Sequence, residues 1–202
     1  MIIHSCTEIP DTQKKSLKAV CDRISDITNN LLRYTKPDHY SDALTGKNAT
    51  SPTNVAHAIT EIITEKRYEY TFRDIKITPK FNPNADIFIN VDSQAFKRAM
   101  SNIINNAVDA CENRAGEVVV SIATLDNKVL VTIEDNGKGM PESVREKILN
   151  HTPVTFGKAN GHGIGYTQIC DMLAKSNGTL QIQSRQNIGT KIMLTFLKSI
   201  VY

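Results

Sequence analysis

Residues 134–141 read EDNGKGMP and directly follow an apolar, β-branched run at 129–134 whose alternation is that of a half-buried strand. A carboxylate at a strand end, followed by Gly137 and Gly139, lets a ligand approach the backbone closely, because neither glycine carries a Cβ. A buried aspartate accepts a hydrogen bond from the exocyclic amine of adenine, where guanine presents a carbonyl that the carboxylate repels. Asp135 is therefore a candidate adenine selector. The same letters also fit an ordinary Asp-Asn-Gly hairpin turn, so the segment needs its neighbours.

Upstream, residues 102–110 read NIINNAVDA inside a long helix expected from about Ser93 to Arg114. Asn102 and Asn106 are four apart and share one face. Asparagine is a middling helix former, so two on one face beside Ile103, Ile104 and Ala107 need a reason. A side-chain amide oxygen is a hard, neutral ligand suited to Mg²⁺; a pair of solvated or capping asparagines is the plain alternative. Downstream, residues 157–169 read GKANGHGIGYTQI, a glycine-rich loop opening a helix at about Ile164–Lys175. Backbone amides and the positive helix end make an anion site there, and Lys158 can reach a phosphate as a point charge. A mobile loop whose glycines serve only its turns is the alternative. A dinucleotide fold would need a strand immediately before this loop within a βαβ unit, and the flanking strands read as hairpins instead.

Working outward, residues 54–66 read as a helix, and 75–81 and 87–91 as strands, with Pro79 placing the first at a sheet edge or bulge. Residues 117–124 and 129–134 form a hairpin about Asp126 and Asn127, and 179–184 and 190–197 another about residues 187–189. Residues 135–165 hold six glycines and two prolines and read as one long loop. Strands on one side and long helices on the other predict an α+β fold, a two-layer α/β sandwich with a mixed sheet.

Residues 11–36 differ. Leu17, Val20, Ile24, Ile27, Leu31 and Tyr34 follow a three-four alternation, the narrow seam of a coiled-coil-like helix that packs against other helices. Pro37 ends it. Residues 37–53 are polar, with glycine and proline, and read as a linker. The expected organisation is a dimerisation helix at 1–36, a linker at 37–53 and a nucleotide-binding domain at 54–202.

Composition sets the outer limits. The chain has 202 residues, 40% hydrophobic and 22% charged, with a net charge of +3. Its basic residues are scattered and unaccompanied by stacking aromatics, which speaks against nucleic-acid binding. No stretch is apolar for long enough to span a bilayer, and the first residues lack a signal peptide's pattern. A cytoplasmic protein, or the cytoplasmic part of a membrane-bound sensor, is expected. Cys6, Cys21, Cys111 and Cys170 form no metal-binding spacing and read as free thiols.

The order of the three segments decides the reading. Paired asparagines on a helix, then D-x-G-x-G after a strand, then a G-x-G-x-G lid and a Gly-Thr strand pair resemble the ATP-binding domain shared by histidine kinases, DNA gyrase and mismatch-repair ATPases. The resemblance covers about residues 54–197. It implies ATP and Mg²⁺ as ligands, with Asn106 on Mg²⁺, Asn102 close to it, and Asp135 on the adenine amine. It implies further that Gly137, Gly139 and Met140 line the base pocket and that Thr190 assists adenine recognition. Phe156 resembles the family's lid phenylalanine, and Lys158, Gly161, His162, Gly163, Ile164 and Gly165 would hold phosphates. Two residues depart from the pattern: His162 stands where threonine is usual, and Tyr166 where leucine is usual. The basic residue that often follows the asparagine box has only Arg114 as a weak counterpart.

One position separates the branches. Gyrase and mismatch-repair relatives carry a glutamate at the place of Asn102, and an amide cannot take a proton from water at neutral pH. The chain thus resembles a sensor histidine kinase, in which the nucleophile is an imidazole on the first helix of a dimeric hairpin. The helix ending NNLLRYTKP resembles the second arm of that hairpin. No histidine of the chain, His4 included, fits the acceptor box. The resemblance implies a kinase catalytic portion whose acceptor histidine lies on another helix, a homodimer in the full-length protein, and a response regulator as partner. The alternative is a nucleotide-binding adaptor or pseudokinase that dimerises without phosphoryl transfer. A serine kinase acting on an anti-sigma antagonist fits less well, since those domains generally lack the hairpin helix.

Overall fold

The computed structural model describes residues 52–111, 115–150 and 164–199, all within the unit Thr50–Tyr202. The expected dimerisation helix and most of the linker lie outside the described residues. In chain order the elements are β1 (Thr53–Asn54), α1 (Val55–Glu69), β2 (Ile75–Lys80), β3 (Phe88–Ile89), α2 (Ser93–Ala110), β4 (Gly116–Leu125), β5 (Lys128–Asp135), α3 (Glu142–Leu149), α4 (Ile164–Lys175), β6 (Thr179–Arg185) and β7 (Gly189–Ser199).

The sheet runs β1-β3-β7-β5-β4-β2, with β6 also paired to β7. β7 is long enough to serve two partners on one side: Gly189–Thr195 take β6, and Lys198 and Ser199 take β3. β2 joins β4 in parallel while every other pairing is antiparallel, so the sheet is mixed as expected. Pro79 sits on β2, a terminal strand, where its missing N–H costs no ladder bond. The β4–β5 hairpin closes about Asp126 and Asn127, with Asp126 at φ +52°.

α2 shows why the helices lie where they do. Its buried residues are Phe96, Ala99, Met100, Ile103, Ile104, Ala107 and Val108, a strict three-four repeat that aims one stripe at the sheet. Phe96 meets Phe196 of β7 edge-on, with ring centroids 5.9 Å apart. Asp92 caps the helix by accepting from the Ala95 N–H at 2.8 Å. Asn54 does the same for α1, accepting from His57 at 3.1 Å.

Three elements differ from the sequence reading. The expected 135–165 loop contains α3, whose N-cap is Pro141 and whose only buried residue is Ile148. The expected linker ends inside a strand, because Thr53 pairs with Ile89 and donates its hydroxyl to the Val91 carbonyl at 2.6 Å. The strand expected at 87–91 is ladder-paired only at Phe88 and Ile89.

Candidate functional site

The site begins where the sheet's apolar rows run out. On β5 the buried positions Val129, Val131 and Ile133 face the helices, and the same alternation carries Asp135 to that side. On β7 the row Phe196, Leu194, Ile192 ends in Thr190, directly opposite Asp135. On β6 the row Leu180, Ile182 ends in Ser184, opposite Thr190. The last rung across three strands is thus polar, Asp135–Thr190–Ser184, at the end of an apolar sheet face. Ser184 was not singled out in the sequence; only strand register reveals it.

Hydrogen bonds lock this rung. Asp135 Oδ1 accepts the Gly137 N–H at 2.8 Å and the Thr190 N–H at 3.3 Å. Ser184 Oγ lies 2.9 Å from Thr190 Oγ1, accepts the Met140 N–H at 2.9 Å, and reaches the Gly189 carbonyl at 3.1 Å. Asp135 is only 9% exposed, and burial pushes its carboxyl up to about 6 despite the two backbone N–H donors, with Glu134 adding a smaller push. A desolvated acceptor of this kind gains from any donor brought to it.

The loop after Asp135 is wedged between α2 and the β6–β7 turn. The Lys138 N–H caps the Ala110 carbonyl at 2.8 Å, and the Lys138 carbonyl accepts from the Asn187 N–H at 2.8 Å. Asn136, also missed in the sequence, accepts the Glu117 N–H at 2.8 Å and donates to the Ala115 carbonyl at 3.2 Å. A Cβ on Gly137 would stand 2.6 Å from the Ala110 backbone, and one on Gly139 would stand 2.1 Å from the Arg185 carbonyl. Gly139 has φ +61°, which L side chains adopt at a cost. The two glycines are thus required by close backbone packing of the loop. Met140 is half-buried and packs against the core.

α2 and α4 complete the arrangement. Asn102 Nδ2 donates to Gln168 Oε1 on α4 at 3.1 Å. Tyr166, also on α4, lies close to Asn106. Burial pushes its phenol up to about 12, the Asp135 charge adds to this, and the Asn106 amide beside it holds it back. The asparagine helix α2, the Asp135 strand end and α4 thus converge. Phe156, Lys158, Gly161, His162, Gly163 and Arg114 lie outside the described residues; Ile164 and Gly165 open α4.

The residues present fit an adenine nucleotide. A buried acceptor stands at Asp135, the backbone packs closely about Gly137 and Gly139, and the asparagines of α2 carry amide oxygens of the kind a hard cation takes. Among the described residues no three His, Cys, Asp or Glu side chains are placed to hold a metal ion. A cation bound beside the amides would thus draw most of its ligands from phosphate and water. Among the described residues no helix is long and apolar enough to cross a membrane.

Comparison with known proteins agrees with the resemblance. Residues 91–200 match the model of the histidine kinase-, DNA gyrase B- and HSP90-like ATPase family. A putative sensor protein of Shewanella frigidimarina is 29% identical over 193 residues, 96% of this chain and 27% of its own length. Sporulation kinase A of Bacillus subtilis is 30% identical over 112 residues, 55% of this chain and 18% of its own. The chain therefore spans about a quarter or less of these relatives. Among solved structures, the mycobacterial sensor histidine kinase MprB superposes with a TM-score of 0.64 at 20% identity, over 75% of this chain and 99% of that one. The histidine kinase ThkA, solved with its response regulator TrrA, gives 0.66 at 21% identity, over 96% of this chain and 54% of that one. At these identities the structures speak for the fold, and the family match reaches further: the chain belongs to the histidine kinase-, DNA gyrase B- and HSP90-like ATPases.

Proposed function

We propose that this chain is the ATP–Mg²⁺-binding catalytic portion of a two-component sensor histidine kinase, passing the γ-phosphoryl group to a histidine outside the chain. The observation that carries the reading is the polar rung Asp135–Thr190–Ser184, buried at Asp135 and Thr190 and half-buried at Ser184, at the end of an apolar sheet face on the side of the asparagine helix. In this reading Asp135 accepts the adenine amine, Thr190 and Ser184 form a hydroxyl relay beside it, and Gly137, Gly139 and Met140 shape the base pocket. Phe156, Lys158, Gly161, His162, Gly163, Ile164 and Gly165 form the lid over the phosphates. Asn106, with Asn102 near it, would hold Mg²⁺, which neutralises phosphate charge when bound.

The transfer itself is balanced simply. The bond from the γ-phosphorus to its bridging oxygen breaks, a bond to the incoming imidazole nitrogen forms, and ADP departs with the electron pair. The chain's task is position and exclusion of water. Asn102 has no basic lone pair for activating water, so ATP is held until an imidazole arrives. Residues 1–36 would be the second arm of a dimerisation hairpin and 37–53 the linker to the domain at 54–202. A homodimer in the full-length protein, a response regulator as partner and a cytoplasmic setting complete the reading.

The test is to mix the 202-residue chain with a separately supplied acceptor-helix protein and γ-labelled ATP. Label is expected on the acceptor histidine, acid-labile and base-stable, while phosphate release by the chain alone stays near background. Tight nucleotide binding without transfer would favour the adaptor alternative, and rapid hydrolysis by the chain alone would overturn the kinase branch.

A further inference from the structure

The three contacts of the Ser184 hydroxyl can all be hydrogen bonds in only one way. Its Oγ lies 2.9 Å from the Met140 nitrogen, 3.1 Å from the Gly189 carbonyl oxygen and 2.9 Å from Thr190 Oγ1. A hydroxyl has one hydrogen to give and two lone pairs with which to receive. The Met140 N–H only donates and the Gly189 carbonyl only accepts, so they take one lone pair and the hydrogen. The second lone pair meets Thr190, which must therefore be the donor. Were the hydrogen turned to Thr190 instead, the Gly189 oxygen would face a bare hydroxyl oxygen, a repulsive pair.

That direction reaches the ligand side of the rung. Thr190 also has a single hydroxyl hydrogen, and Ser184 takes it. Thr190 is buried opposite Asp135, and its backbone N–H already goes to Asp135 Oδ1 at 3.3 Å. What Thr190 Oγ1 keeps for any further group is lone pairs alone, and the ionised carboxylate offers the same. The chain of bonds from Thr190 through Ser184 to Gly189 thus runs away from Asp135 and leaves two neighbouring acceptors. Without Ser184, the freed Thr190 hydrogen has a charged acceptor across the rung, and a bond there occupies the oxygen that an incoming amine needs.

We infer that Ser184 is a positioning residue for the base. By taking the Thr190 hydrogen it sets Thr190 as an acceptor beside Asp135, which fits the rung to a ligand edge that brings its own donors, an amino group or water ordered with it. This rests on the reading of Asp135 and Thr190 as the base-recognition pair. Ser184 stands one strand further from Asp135 and acts through Thr190. Its bond to the Met140 N–H is a competing route, by bracing the glycine loop, and the two routes are separable.

The experiment is a double-variant cycle read by calorimetric titration of ADP with Mg²⁺ into the 202-residue chain, with thermal melts to check that each variant folds. Ser184→Ala removes the acceptor, Thr190→Val removes the hydroxyl it receives, and the pair removes both. In the parent, Ser184→Ala is expected to weaken ADP binding roughly 3- to 10-fold, the range of one hydrogen bond. In the Thr190→Val background the same change is expected to cost less than about 2-fold, because nothing is left to orient. Ser184→Cys, whose thiol is a weak acceptor, should follow the alanine variant, and it serves in its place if that protein does not fold. Ser184→Thr keeps the hydroxyl and should bind within about 2-fold of the parent. If Ser184→Ala and Ser184→Cys bind as the parent does, or if their cost is equal in both backgrounds, Ser184 serves the loop or the fold and the inference is overturned. If Thr190→Val binds ADP as tightly as the parent, the base-pocket reading of Thr190 fails and takes the inference with it.

Discussion

Asp135→Asn is expected to lower ATP affinity about 100-fold, the cost of replacing a charge-assisted acceptor by a mispaired donor, without lowering the melting temperature at neutral pH. Both recorded bonds to this side chain fall on Oδ1, from the Gly137 and Thr190 N–H groups. An asparagine satisfies them only by keeping its oxygen there, which turns its NH₂ toward the base. That NH₂ then meets the adenine amine donor to donor. Hypoxanthine carries a carbonyl at this position, so the variant is expected to prefer ITP over ATP, reversing the parent's order. Calorimetric titration of both nucleotides into both proteins measures this. Undiminished ATP binding by the variant removes Asp135 from the base pocket.

The same substitution has a stability side with a definite sign. The folded carboxyl sits at about 6, above its ordinary value of 3.8, so folding favours the protonated form. Its contribution is fully present below about pH 4 and is lost as pH rises through 6, a penalty on the order of 3 kcal/mol at neutral pH. The asparagine carries no such penalty. The variant's unfolding free energy without nucleotide is therefore expected to gain on the parent's by about 2–3 kcal/mol between pH 4 and pH 7. Affinity and stability move in opposite directions because the buried charge that serves the ligand burdens the empty fold.

Gly189→Ala is expected to be the most damaging single-methyl change in the domain. A Cβ there would stand 1.9 Å from the Asp135 carbonyl oxygen, and the residue's φ of +144° is one that L side chains rarely adopt. Both obstacles are backbone, so no side chain can rotate away. Relief requires β7 to slide from β5 at the rung that pairs Asp135 with Thr190. A loss of about 3–5 kcal/mol is expected, a fall in Tm on the order of 10 °C or more, together with lost ATP binding. Thermal melts and nucleotide titration check it. A variant that melts with the parent and binds ATP equally would mean that this turn does not brace the site.

Much of this architecture was legible because local chemistry and global fold agree. The three-four repeat of Phe96 to Val108 announces a core-facing helix, and Asp126 with Asn127 announces a two-residue turn. Asp135 was legible because it follows an alternating strand and precedes two glycines. Ser184 was not, since its value comes from standing opposite Thr190, and register is invisible until strands pair. Gln168 was hidden similarly, 66 residues from the asparagine it holds. α3 escaped because it buries only Ile148 and has no side-chain cap, leaving Gly and Pro neighbours to dominate the pattern. Tyr166 was visible as a departure from the family, but its place beside Asn106 was not.

Everything turns on where the base sits. A crystal structure of the chain with Mg²⁺ and a non-hydrolysable ATP analogue is predicted to show the adenine amine within about 3 Å of the Asp135 carboxylate, with the triphosphate running toward Asn106. Adenine found elsewhere, such as the groove between α1 and α2 beside His57, Glu61 and Lys97, would contradict it.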